Sequence, residues 1–199
     1  MKTNRLVLVW LLALMVSEPV IAHAPIKGIG SFYNGLLHPI LVPAHLFLLV
    51  AIGLFLGQQG LKKVEQLLGV FASATLVGFI AAWFSSGSET ETLVLVLSAT
   101  LGIMIAISPQ ASFLWCTAMA FLAGLFLGLD SAQEELAGKE KFLSLFGSGV
   151  AIYFLFLYSL AMAKSFNNKN WQKIAIRIVG SWIAASSLLV LALSLSTKS

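Results

Sequence analysis

The sequence predicts an all-α fold, a polytopic bundle of six transmembrane helices in one integral membrane domain over residues 23–199. Hydrophobic residues make up 59% of the 199 residues and charged residues only 10%, whereas a soluble domain carries about 25% charged residues. The mean hydropathy is +0.95. Because roughly 20 apolar residues span a bilayer, these 199 residues leave no room for a separate soluble domain beside several spans.

The first 22 residues have the pattern of a cleavable secretory signal peptide. Two basic residues precede an uninterrupted apolar stretch, Leu6–Val16, and small or modest side chains lead up to Ala22. Cleavage after Ala22 would make His23 the N-terminus, on the outer face of the membrane. The alternative is an uncleaved signal anchor, because the length of the apolar stretch does not separate the two.

After the signal peptide, apolar runs separated by short polar breaks predict the six helices. Their ranges are Leu36–Gly57, Val64–Phe84, Thr92–Ile107, Ala111–Leu129, Phe142–Ala163 and Ile174–Leu195. An even number of spans places both mature ends on the same side of the membrane. In the fifth run, Gly147-Ser148-Gly149 predicts irregular backbone beside a cavity.

The charged residues of the loops predict the orientation. One set of loops is basic, with Lys62, Lys63, Lys164, Lys169, Lys173 and Arg177. The opposite set is mainly acidic, with Glu89, Glu91, Asp130, Glu134, Glu135 and Glu140. Since loops rich in Lys and Arg stay in the cytoplasm, we expect both mature ends in the periplasm of a bacterial inner membrane.

Two histidines lie seven residues apart, His38 and His45, near the outer end of the first mature span. On a continuous helix they would share one face, two turns apart. Pro39 can open a helix at its first turn, and Pro43 predicts a kink or interruption between the histidines. An ionisable pair beside broken backbone at membrane depth indicates a functional site, and imidazole suits nickel, cobalt, copper and zinc. The alternative is that either histidine only binds a carbonyl freed by proline.

A cluster of carboxylates follows the fourth predicted span. Asp130 and Glu134 would share a face if the helix continued for one more turn, at the same outer level as the histidines. Two imidazoles and two carboxylates form a mixed nitrogen and oxygen site for a divalent cation. His23, if exposed by cleavage, adds an α-amine and an imidazole for capture. A plain acidic loop is the alternative, and we prefer it for Glu135 and Glu140.

Composition and motifs exclude several other functional classes of protein. The net charge of +4 comes from basic residues scattered between apolar runs, which is not the pattern of a nucleic-acid-binding surface. A single cysteine, Cys116, excludes an internal disulfide and any site with several thiolates. The sequence contains no phosphate-binding loop and no pairing of nucleophile and base. We therefore expect neither an enzyme nor a tightly bound cofactor.

The element His-Pro-Ile-Leu-Val-Pro-Ala-His over residues 38–45 resembles the HupE/UreJ family, and residues 128–134 resemble the later motif of its UreJ-like branch. The likeness covers the whole mature chain in its pattern of spans. It implies a membrane protein associated with hydrogenase and urease maturation and regarded as a nickel or cobalt permease. The chain differs from the better-known branch at Ala44, where that branch has an acid. In its fourth span that branch has a His/Gly-rich segment with a glutamate. This chain has Gly-Leu-Phe-Leu-Gly-Leu-Asp over residues 124–130 instead.

These observations predict transport of a divalent transition-metal ion through a site of His38, His45, Asp130 and Glu134, with His23 for capture. Nickel is the first candidate, followed by cobalt, copper and zinc, and the ion is substrate rather than resident cofactor. The alternative is a non-transporting accessory protein for metalloenzyme maturation, whose polar cluster is structural or binds a partner. A weaker alternative is transport of protons or a small neutral solute. Predicted partners are the lipid bilayer and the metal ion; a second copy and maturation factors are further candidates.

We predict that the purified mature protein begins at His23, because the basic start, the apolar stretch and the residues before Ala22 together fit signal peptidase. N-terminal sequencing and intact mass measure this directly. Retention of Met1 in the mature protein would contradict it and would remove the free α-amine of His23 as a capture group.

Overall fold

Short polar breaks divide the apolar chain into helices close to the predicted ranges. The computed structural model describes residues 28–61, 63–84, 90–133 and 135–198, and within them all regular structure is α-helical. The helices are α1 (Ser31–Leu41), α2 (Pro43–Gln58), α3 (Val64–Phe84), α4 (Thr90–Ile107), α5 (Phe113–Leu129), α6 (Gly138–Ser165) and α7 (Asn170–Lys198). The predicted signal peptide lies outside the described residues.

The first predicted span is two helices, α1 and α2, bent by 69°. Val42 separates them, and its N–H donates to the carbonyl of His38 at 3.0 Å. Pro43 opens α2 at its first position, where a missing N–H removes no helical hydrogen bond. The predicted interruption between the histidines is therefore confirmed. The role expected for Pro39 is wrong: because α1 begins at Ser31, Pro39 lies in its last turn rather than its first.

The lengths and apolar composition of the helices are those of a multi-pass membrane protein. In the described part of the chain, α3, α4, α6 and α7 are each long and apolar enough to cross a membrane, and the bent pair α1–α2 would be a fifth, broken span. Helix α5 is apolar but has 17 residues. The count of six spans therefore stays a prediction.

The irregular backbone predicted at Gly147-Ser148-Gly149 is wrong, because α6 is one continuous helix from Gly138 to Ser165. The glycine instead lets α1 approach closely. A Cβ at Gly147 would clash with the backbone of Phe32 and lie 2.9 Å from the backbone nitrogen of Leu36. In lipid, where apolar burial does not drive helices together, such close backbone contact is what holds them.

Helix α2 lies at the centre of the bundle, and its apolar residues are buried on all sides. It packs mainly against α6 and α4, while the outer helices pair as α1 with α6, α3 with α5, and α4 with α7. Small residues form its contact with α6: a Cβ at Gly53 would lie 2.5 Å from the Cβ of Ser159, and one at Gly57 would lie 2.5 Å from the Cβ of Ala163.

Polar side chains mark the two ends of the bundle. At one end the Gln59 amide donates to the carbonyl of Pro109 at 3.2 Å, joining α2 to the loop between α4 and α5. At the other end Lys141 Nζ donates to the carbonyl of Ala82 at 3.2 Å, joining the start of α6 to the end of α3. Asp130, which follows α5, lies at the Lys141 end.

We expect Gly78→Ala to destabilise the fold and Gly69→Ala, in the same helix, to stabilise it. A Cβ at Gly78 would lie 2.5 Å from the carbonyl oxygen of Leu125 in α5, whereas a Cβ at Gly69 meets nothing within 4 Å. Overpacking costs about 1–3 kcal/mol, and exposed Gly→Ala in a helix gains roughly 0.5–1 kcal/mol. Thermal unfolding in detergent measures both, and equal melting temperatures would contradict this account of the α3–α5 contact.

We predict that the acidic segments 85–91 and 130–141 face outward and that Lys62, Lys63 and the segment Lys164–Lys173 face the cytoplasm, because of the Lys/Arg distribution. Ser88→Cys and Asn168→Cys, each in a Cys116→Ser background, provide matched labelling sites. A membrane-impermeant maleimide applied to intact cells should modify the cysteine at 88 and spare the one at 168. The reverse pattern would place the Lys141 end of the bundle in the cytoplasm.

Candidate metal-ion site

His45 and Asp130 form a hydrogen-bonded pair inside the bundle. His45 lies in the first turn of α2 and is fully buried, and its Nε2 is 2.8 Å from Asp130 Oδ2, with the carboxylate side chain 6% exposed. Asp130 is the C-terminal capping residue of α5, and its N–H donates to the carbonyl of Phe126 at 3.0 Å. The apolar run of α5 thus ends directly in a carboxylate that points at the central helix.

His38 joins this pair from α1. Its side chain is buried, and its ring centroid is 5.1 Å from that of His45, with the two ring planes at 85°. The histidines therefore meet edge to face across the break between α1 and α2 rather than along one face of a continuous helix. The structure brings together three of the predicted site residues.

Two polar residues that the sequence analysis did not single out complete the cluster. Gln133 Nε2 lies 3.5 Å from His38 Nδ1, and Ser144 Oγ, from the start of α6, donates to Gln133 Oε1 at 3.4 Å. Both side chains are buried. Gln133 lies within the stretch that resembles the UreJ-like motif, and this resemblance could have marked it as a candidate site residue. Ser144 is a single serine in an apolar helix, and nothing in the sequence marks it.

The carbonyl freed by Pro39 is satisfied by a serine and not by a histidine. Pro39 has no N–H to donate to the carbonyl of Gly35 one turn earlier, and Ser148 Oγ of α6 donates to that oxygen at 3.0 Å. His45 binds a carboxylate instead. The alternative role for His45, bonding to a freed carbonyl, is therefore wrong.

Helix α5 ends at Leu129, where the fourth predicted span also ends, and residues 130–133 are not helical, so the further turn on which a shared face of Asp130 and Glu134 depended is absent. Ser131 Oγ donates to the carbonyl of Leu127 at 2.6 Å and so satisfies an acceptor of the last turn. The helical face that Asp130 and Glu134 were expected to share does not form. Glu134 and His23 lie outside the described residues.

The chemistry of the cluster is that of two imidazoles and one carboxylate in apolar surroundings. A carboxylate buried alone is costly, and the imidazole beside Asp130 offsets that cost. His45 Nδ1 is buried without a hydrogen-bond partner in the described part of the chain. As placed, no group of three or more His, Cys, Asp or Glu side chains among the described residues could hold a metal ion. The cluster is thus a set of donors and not a closed structural metal site.

The chain matches the family model described as HupE / UreJ protein over residues 11–190, which is most of its length. The protein belongs to the HupE/UreJ family. This is a family of metal-related accessory or permease proteins and is not known for catalysis. No curated protein and no solved structure gives a significant match to the chain.

We expect Ser148→Ala to lower the stability of this HupE/UreJ protein by about 1–3 kcal/mol, because it leaves the buried carbonyl of Gly35 without a donor. In a Pro39→Ala background the backbone N–H at position 39 can serve that carbonyl, so the same change should cost much less. A double-mutant cycle of unfolding free energies measures the coupling. Equal losses in both backgrounds would show that Ser148 does not compensate for the proline.

Proposed function

We propose that this protein transports a divalent transition-metal ion across the bacterial inner membrane, with nickel as the first candidate. His38 and His45 supply imidazole ligands, and Asp130 supplies the charge that favours a cation. The supporting observation is the burial of two imidazoles and a carboxylate together at the break in the central segment of the bundle. Ionisable groups at such a depth are costly and mark ion pathways in membrane proteins.

The donor chemistry favours borderline transition metals over magnesium and calcium. Imidazole suits nickel, cobalt, copper and zinc, whereas hard cations prefer sites made of oxygens. The donors also do not form a closed site in the described residues.

Between His45 and Gln58, helix α2 offers no polar side chain to an ion. From residue 46 to residue 57 every residue of α2 is apolar or glycine, and most of them are buried. An ion held at His45 would reach the Gln59 end only if neighbouring helices moved relative to α2. Gly53 and Gly57 bring α2 into close backbone contact with α6 along this stretch.

Uptake of Ni²⁺ into proteoliposomes tests the proposal. We expect wild-type protein to transport the ion, and His38→Ala, His45→Ala and Asp130→Asn each to abolish uptake at unchanged protein levels. The double variant His38→Ala with Asp130→Asn should be no worse than either single change, because the residues act as a unit.

Glu135→Gln is the matched control, since this exposed carboxylate follows closely on Asp130 but lies outside the cluster. It should transport like the wild type. Failure of wild-type protein to take up Ni²⁺, Co²⁺, Cu²⁺ or Zn²⁺ would refute transport and favour an accessory role. Full activity of His45→Ala would refute the site.

A further inference from the structure

We propose that Asp130 is a positioning residue rather than a metal ligand, and that Nδ1 of His45 is the atom that meets the cation. The inference rests on the proposed function, whose site it deepens. It differs from a shared-ligand site, in which histidine and carboxylate would bind the ion side by side.

The protonation pattern follows from the contact between the two side chains. In the proposed state Asp130 is ionised and His45 is neutral. An ionised carboxylate only accepts hydrogen bonds, so the Nε2 of His45, 2.8 Å from Asp130 Oδ2, carries the proton in that state. A neutral imidazole has a single N–H. The lone pair that can bind a metal is therefore on Nδ1.

The environment of Nδ1 supports the same assignment. This nitrogen is buried and has no hydrogen-bond partner in the described part of the chain. Leaving a buried acceptor unsatisfied costs free energy, which a bound cation would recover.

A carboxylate, an imidazole and a metal in series form a recurrent arrangement in metal sites. The carboxylate accepts the N–H of the ligating histidine, which selects the tautomer, orients the ring and makes the other nitrogen a better ligand. Asp130 is suited to this role because it caps α5 and is held by a backbone hydrogen bond to Phe126. One of its two carboxylate oxygens, Oδ2, is already hydrogen-bonded to His45.

The first test is nitrogen NMR of the full-length protein, labelled with ¹⁵N-histidine, in nanodiscs without metal. We expect His45 to carry its proton on Nε2, with resonances assigned from single His→Gln variants. Asp130→Asn should move the proton towards Nδ1, because an asparagine amide can donate to Nε2, and Glu135→Gln should leave the tautomer unchanged. A wild-type His45 protonated on Nδ1 would overturn the inference, and this measurement needs no Asp130 variant to fold.

The second test adds Zn²⁺ as a diamagnetic probe. In wild-type protein the Nδ1 resonance of His45 should shift on binding. Asp130→Asn should weaken Zn²⁺ binding about 10–100-fold, the usual effect of losing a residue that orients a ligand. X-ray absorption should show the same nitrogen coordination in both proteins, whereas loss of an oxygen ligand in the variant would overturn the positioning role.

The outcomes separate this inference from transport itself. Zn²⁺ binding through Nε2 of His45, or through the Asp130 carboxylate, would overturn the inference while Ni²⁺ uptake could still stand. The expected tautomer in a wild-type protein that neither binds Zn²⁺ nor takes up Ni²⁺ would overturn transport, and with it Nδ1 as the contact atom, but would support positioning of His45 by Asp130.

Discussion

The loss of two backbone donors at Pro39 and Pro43 is the constraint on which the rest of the site depends. In lipid, a freed carbonyl cannot turn to water, so the chain must either supply another donor or end the helix. The chain does both. The Ser148 hydroxyl donates to the carbonyl of Gly35, and a new helix, α2, begins at Pro43. Seven residues of straight helix rise about 10 Å, yet the bend leaves the two imidazole centroids 5.1 Å apart.

The hydrogen bond between His45 and Asp130 links the central helix to α5 within the buried polar cluster. Hydrogen bonds to charged groups contribute about 1.5–3 kcal/mol, and burial without a partner would cost more than that. The pairing therefore explains how two ionisable side chains can lie inside a membrane protein. The pairing uses Nε2 of His45 and leaves Nδ1 of the same ring without a hydrogen-bond partner in the described part of the chain. This is the nitrogen that we propose binds the ion.

Packing elsewhere in the bundle relies on close backbone approach. Gly78 in α3 faces the backbone of α5, and Gly53 and Gly57 in α2 face α6. Other large apolar side chains point outwards, as at Phe84 and Leu114, which are 84% and 78% exposed. Such an apolar surface suits lipid.

The sequence by itself determined the helical membrane fold, close approximations of the helix ranges, the break between His38 and His45, and the acidic end of α5. Strong apolar runs and prolines specify these features locally. It could not determine which way each helix faces, because helices that are apolar on all sides carry no amphipathic signal. Tertiary structure alone decided that His45 meets Asp130, 85 residues away, and that Gln133 and Ser144 flank His38.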